Sequence, residues 1–194
     1  LHFEQISRVA YKSEIVPRRA KISFNGVGTM NGSDGKPVKT RDGGVMARED
    51  LINELIRGAK SRLVDTVDDQ DKDEIALAVG VGALKFGDLS NLPVRDYVFD
   101  LHQFTSFEGK TGPYIQYAMV RIASIKKKIQ VDESETFPIT SPVTDVERSL
   151  MLKLSMFGAW VDLATSLRQP SKICDYAFEL SQTFHQCYHE VHVV

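Results

Sequence analysis

Six of the thirteen glycines fall between Gly26 and Gly44, interleaved with Asn31, Ser33, Asp34 and Asp42, and this run constrains the chain more than any other feature. Glycine gives up the most conformational freedom on ordering, and Asn, Asp and Ser bond their own backbone in turns, so no regular element is expected to persist there. A loop of this length inside a compact protein is usually functional or disordered.

Ordered segments are expected on both sides of the loop. Ahead of it, the pattern predicts a short helix over Phe3–Tyr11 and a strand over Ala20–Phe24. Behind it, a helix is expected from Ala47, with Leu51, Leu55, Ala59 and Leu63 on one stripe and Glu49 and Asp50 at its positive end. The acidic stretch from Asp65 to Asp73 reads as a connection into a second helix through Ile75, Val79 and Leu84, with Asp71 or Asp73 as its N-cap. Val98–Leu101, preceded by Tyr97, is the remaining strand candidate.

Gly112 and Pro113 open a further helix, because proline in a first turn lacks only a donor that would be unpaired anyway. Ile115, Ala118, Ile122, Ile125 and Ile129 predict a buried side, opposite Gln116, Arg121, Lys127 and Lys128. Residues 131–142 have linker composition and mark the expected domain boundary. Thr144 and Glu147 then form a capping-box signature ahead of Leu150, Leu154, Phe157 and Val161. Pro170 and Ser171 start a last helix, striped by Ile173, Ala177, Leu180, Phe184, Cys187 and Val191 as in a bundle. The order is α/β followed by all-α, mostly helical, without internal repeats.

Composition narrows the setting. No apolar run reaches the length of a bilayer span and no signal-peptide pattern opens the chain, so a cytoplasmic protein without membrane contact is the expectation. Cys174 and Cys187 share one predicted helix, about 20 Å apart at ~1.5 Å rise per residue, whereas a disulfide holds its Cα atoms within roughly 7 Å. Reduced, buried thiols are expected. The formal charge of −2 conceals three basic clusters, around Arg8–Lys21, Lys36–Arg41 and Arg121–Lys128, which suit phosphate or RNA and equally suit solvated helix faces. The chain begins at Leu1 without Met and stops at Val194 within an apolar-periodic stretch, which reads as a segment cut at both ends.

The loop string GSDGKPVKTR, residues 32–41, fails two known phosphate cradles. A Walker loop needs Gly where Met30 stands and Ser or Thr where Pro37 stands, and the dinucleotide fingerprint needs a third Gly where Asn31 stands. What remains is a pliant loop carrying Lys36 and Lys39, with Arg41 beside them. Two ammonium groups can stabilise charge developing on a triphosphate. On spacing alone, a solvent-exposed hairpin whose lysines keep it soluble remains the stronger reading.

KPVKT, residues 36–40, resembles the KMSKS signature of class I aminoacyl-tRNA synthetases, and DGKPVKTR with the Gly-Gly that follows is similar to the variant in the arginyl-tRNA synthetase family. Longer blocks resemble the same family in order and spacing: GALKFGDLS at 82–90, YVFD at 97–100, EGKTGPYIQYA at 108–118 and RIASI at 121–125. Lys110 departs from the Asn usual in the family. Glu147–Val194 resembles, mostly through its periodicity, the start of the helical anticodon-binding domain.

The resemblance implies a fold and a function. Residues 1–130 would be the C-terminal part of a Rossmann-type catalytic domain, with a stem-contact region at about 65–130; residues 131–142 would be a linker, and 143–194 the N-terminal part of the anticodon-binding bundle. The parent would be a monomeric ligase that activates arginine with ATP, accompanied by Mg2+, and transfers it to its tRNA. Lys36 and Lys39 would be catalytic and, with Gly28 and Met30, ATP-binding; Tyr114, Gln116, Tyr117, Arg121 and Tyr188 would face tRNA. For Tyr114 and Tyr117, plain packing is an equal reading. The HIGH motif and the arginine pocket are missing from the sequence, so the segment alone is expected to be inactive. His185, His189 and His192 share a helix face at spacing close to that of zinc ligands, yet no acidic or thiol ligand joins them, and no metal is expected. A stand-alone RNA-binding or assembly module derived from a synthetase is the alternative. A cysteinyl-type synthetase lacks support, since no Cys and His cluster accompanies the loop.

Overall fold

The structure, a computed structural model, describes residues 2–17, 19–32, 34–36, 48–63, 68–130 and 138–191, omitting the side chains of 69 and 70. Among them stand eight helices and a two-stranded parallel sheet: α1 His2–Lys12, β1 Met30–Asn31, α2 Arg48–Lys60, α3 Asp69–Leu89, β2 Tyr97–Val98, α4 Leu101–Phe104, α5 Gly112–Ile129, α6 Asp145–Ser155, α7 Phe157–Leu167 and α8 Ser171–Glu190.

The first half is built on α2 and α3. The stripe expected on α2 is buried, with Leu55 fully enclosed and Leu51 and Ala59 nearly so; one such leucine contributes about 1.5–3 kcal/mol. Leu51 and Leu55 meet Ala83 of α3 and Phe104 of α4, with Met30, Leu84, Tyr97, Phe99 and Leu101 closing around them. A second cluster of Ala59, Ala76 and Val79 carries Ile56 and Leu63. The expected capping of α3 by Asp71 or Asp73 does not occur. The helix begins at Asp69, which puts both residues inside it, and Asp73 instead binds Lys60 at 2.5 Å, tying the start of α3 to the end of α2.

Both strand expectations are corrected. Ala20–Phe24 forms no strand, for among the described residues it has no ladder partner: the Tyr11 hydroxyl donates to Ala20 O and accepts from Ile22 N, and Phe24 stacks on Phe3 at 4.5 Å. The second candidate shortens to Tyr97–Val98, because Asp100 caps α4 by accepting from His102 N and Gln103 N. The glycine-rich loop does hold one regular piece, β1, where Met30 and Asn31 lie beside Tyr97 and Val98.

The second half is built around α8, which packs on α5, α6 and α7. The capping box forms as expected, with Thr144 Oγ1 accepting from Glu147 N and the Glu147 carboxylate accepting from Thr144 N. The periodic run beyond it breaks at Met156. There the backbone N–H turns to the carbonyls of Lys153 and Leu154, tightening the turn, and α7 leaves at 43° to α6. Leu154 and Phe157, on either side of the break, are therefore about half exposed. Lys153 pairs with Glu179, and Tyr176 Oη donates to Lys153 O. On α8 burial centres on Ser171, Cys174, Tyr176, Ser181 and Cys187, so only Cys187 of the predicted stripe is fully enclosed. Both cysteines are free and buried, and burial pushes their thiols up. Most of the expected linker, 131–137, lies outside the described residues. Among the described residues no single helix is long and apolar enough to cross a membrane; only the bent α6–α7 pair reaches that length and composition together.

The halves meet at α5. Thr111 caps it, and Gly112 and Pro113 are buried against α3. A side-chain carbon at Gly112 would stand 2.5 Å from the Gly82 carbonyl oxygen, so the two backbones approach as closely as glycine permits. Beyond Ala118 the expected buried side opens, with Ile122 and Ile129 exposed. Two polar contacts reinforce the junction: Lys110 binds Asp175 at 2.5 Å, and Arg168 Nη1 donates to Asn25 Oδ1 at 3.2 Å. Gly112→Ala is expected to cost about 1–3 kcal/mol by overpacking, whereas Gly158→Ala, which meets nothing within 4 Å on α7, should be neutral or gain up to ~1 kcal/mol. Urea denaturation of the two variants checks this, and equal effects would refute the close crossing.

Candidate functional site

Two regions gather the residues singled out by sequence. The first is the entrance to the glycine-rich loop. Gly28 N donates to Pro93 O at 2.6 Å, and a side-chain carbon at Gly28 would lie 2.3 Å from Arg95 O, so only glycine fits. Thr29 N then donates to Asp96 Oδ1 at 2.7 Å, which holds that carboxyl below its ordinary value, and Tyr97 N and Phe99 N continue the ladder onto Thr29 O and Asn31 O. Met30 packs its partly buried side chain against the α2–α3 core. A turn follows in which Gly32 N donates to Lys36 O and Lys36 N to Asp34 Oδ1, with Lys36 exposed to solvent. Lys39 lies outside the described residues.

The second region joins α5 and α8. The Arg121 guanidinium lies over the Tyr117 ring at 4.6 Å and over the Tyr188 ring at 4.9 Å, donates from Nη2 to Tyr117 Oη at 3.2 Å, and meets His185 Nδ1 at 3.1 Å. Tyr114 completes the patch, edge-on to His185 and tilted on Phe178. A guanidinium has no acceptor, so Nδ1 must accept and the imidazole proton sits on Nε2. That Nε2 is buried and has no hydrogen-bond partner among the described residues. Burial, then the charges of Arg121 and His189, hold His185 below the ordinary imidazole value, so the ring stays neutral. Among the described residues no carboxylate stands within ion-pair distance of Arg121. A partly buried cation lacking a counter-charge is suited to an anion from outside.

Tyr114, Tyr117, Arg121 and Tyr188 thus come together. Gln116 stands apart: its Nε2 donates to Ala78 O at 3.0 Å, on the α3 side of the helix. Spacing marks His185 only as a candidate metal ligand, although its place one turn before Tyr188 puts it on the face that meets α5. His192 lies outside the described residues, and among those described no group of three or more His, Cys, Asp or Glu could hold a metal ion.

Comparison with known proteins covers both regions. The family described as tRNA synthetases class I (R), catalytic domain, matches residues 1–101, and the DALR anticodon binding domain matches residues 115–194. The chain belongs to the class I (R) tRNA synthetases. The chain is 47% identical to an arginine–tRNA ligase of Alkaliphilus oremlandii, across the whole chain and 34% of that protein. Its identity to one from Agathobacter rectalis is 38%, with the same coverage. It spans about a third of the length of the curated relatives it matches. Among solved structures, the Thermus thermophilus arginyl-tRNA synthetase is similar at a TM-score of 0.70 and 28% identity over 85% of this chain and 27% of that one. A Plasmodium falciparum arginyl-tRNA synthetase shares the fold at a TM-score of 0.76 and 24% identity, over the whole chain and 33% of that one. The expected architecture, part of a class I synthetase catalytic domain followed by anticodon-binding helices, is that of these structures.

In this synthetase chain the Arg121–His185 pair has a sign that can be tested. Because His185 titrates lower folded than unfolded, the stability its neutral form confers is complete above the ordinary imidazole range and is lost as the pH falls through and below it. Arg121→Ala removes a repelling cation, and the His185 midpoint is expected to rise. An NMR titration of the ring protons reads this directly, and a midpoint that stays put or falls would count against the pairing.

Proposed function

We propose that this chain supplies the second half of the ATP site and the first tRNA-facing helices of an arginine–tRNA ligase, which forms arginyl-adenylate and transfers the arginyl group to its tRNA. The observation that carries the reading is Arg121, which has no carboxylate partner among the described residues, is held between two tyrosines and falls inside the anticodon-binding match. A phosphate of the tRNA backbone is the ligand that fits it. Tyr114, Tyr117 and Tyr188 share that surface, and Gln116 serves it indirectly by fixing α5 on α3.

On the nucleotide side, the bare Cα of Gly28 and the backbone of Met30 border the adenine of ATP, and Lys36 and Lys39 neutralise the triphosphate as its α-phosphorus is attacked. Both lysines act by electrostatics and form no covalent bond. Mg2+ enters with the nucleotide as part of the substrate. Residues 1–130 form the catalytic part, 131–142 the linker and 143–194 the start of the bundle, with α5 the helix through which the parts meet. A monomeric enzyme in the cytoplasm accompanies this reading, and the chain by itself is inactive because it carries neither a HIGH motif nor acidic residues for the arginine guanidinium.

Two outcomes are expected in a full-length enzyme carrying this chain. Lys36→Ala with Lys39→Ala lowers arginine-dependent ATP–pyrophosphate exchange by about 100-fold or more; exchange at the parental rate sinks the proposed role of the loop. Arg121→Glu weakens tRNA binding by roughly 10- to 100-fold and reduces the salt slope of log K by about 1. An unaltered slope would show that Arg121 meets no phosphate.

A further inference from the structure

We infer that His185 is the positioning residue for Arg121, fixing the guanidinium so that it presents a set edge to a tRNA phosphate. The inference rests on the proposed tRNA-facing role of Arg121 and goes beyond it by assigning a task to a side chain on a different helix.

An arginine on a helix surface ordinarily samples many rotamers, and ordering such a chain carries an entropic cost. Arg121 starts from α5 yet ends among groups of α8, with Tyr188 facing one ring contact and His185 accepting one hydrogen bond. Its own helix supplies Tyr117, one turn away, through both ring and hydroxyl. Two rings restrain the guanidinium plane, but stacking leaves it free to rotate within that plane. The two hydrogen bonds, from Nη2 to Tyr117 Oη and from Nη1 to His185 Nδ1, remove this freedom. Of the five N–H donors of the group, these occupy one each, and the remainder are left for an anion.

The protonation state of His185 suits the task. A protonated imidazole would offer a donor to a donor and repel the guanidinium. The ring is instead kept neutral by its burial and by Arg121 itself, with its proton on the nitrogen facing away from the arginine. Tyr114 holds the ring edge-on at 5.1 Å, and Tyr117 and Phe184 flank it, so the acceptor is itself fixed. His185 thus acts through Arg121 and need not touch RNA.

Replacement by Asn keeps an acceptor near the place of Nδ1, Gln moves it toward the place of Nε2, and Leu removes it. In the full-length enzyme, His185→Leu and His185→Gln are expected to weaken binding of an arginine tRNA transcript about tenfold and His185→Asn less than threefold. In an Arg121→Ala background none of the three should weaken it further. Phenylglyoxal labelling of Arg121, read by peptide mass mapping without tRNA, should be several-fold faster in the Leu and Gln variants and near the parental rate in Asn. If Arg121→Ala weakens binding while His185→Leu and His185→Gln do not, the positioning role is refuted and the tRNA reading stands. If Arg121→Ala changes nothing, the tRNA reading fails, and labelling still judges the positioning, an unaltered rate in Leu and Gln refuting it. Losses that add to those of Arg121→Ala mark a separate structural role for His185 and also refute it.

Discussion

The backbone contact between Gly82 of α3 and Gly112 of α5 governs much of what else the molecule can do. A methyl group on Gly112 would overlap the Gly82 carbonyl, so at this point the helices meet backbone to backbone. That proximity lets Gln116 reach the Ala78 carbonyl and seats α5 on the first half of the chain. With one side of its first turns committed to α3, α5 directs Tyr114, Tyr117 and Arg121 toward α8. The aromatic cage around Arg121 is therefore a consequence of two glycines as well as of the residues that line it.

Local chemistry made the helices legible in the sequence. Proline in the first turn of α5, the Thr144–Glu147 reciprocal cap and the leucine stripe of α2 each act within a few residues, and each formed as read. The strands were not legible at this level, because a strand exists only where a partner lies alongside. Ala20–Phe24 has the composition without a partner among the described residues, while Met30–Asn31 has the partner in a segment whose composition argues against order. The break at Met156 is invisible to periodicity for a related reason: periodicity reports which side faces inward and carries straight across a 43° bend.

The candidate site divides in the same way. Motif resemblance placed Arg121 and Tyr188 in one site, and their meeting across α5 and α8 gives that pairing a geometry. Gln116, on the polar side of its helix, turns its amide to the Ala78 carbonyl, a contact that periodicity does not carry. His185 shows the opposite failure. Its repeat with His189 drew attention to metals, whereas its contact with Arg121 spans 64 residues and has no trace in local spacing.

Asn25 and Arg168 have a consequence for the loop. Beyond the packing of α5 and α3 on α8, the N-terminal half and the bundle are joined by an exposed hydrogen bond between these two side chains. A bond of this kind is worth about 1 kcal/mol. Its ends are the residue before Gly26 and the residue that closes α7, so the bundle tethers the threshold of the glycine-rich loop by a bond that solvent can replace at little cost.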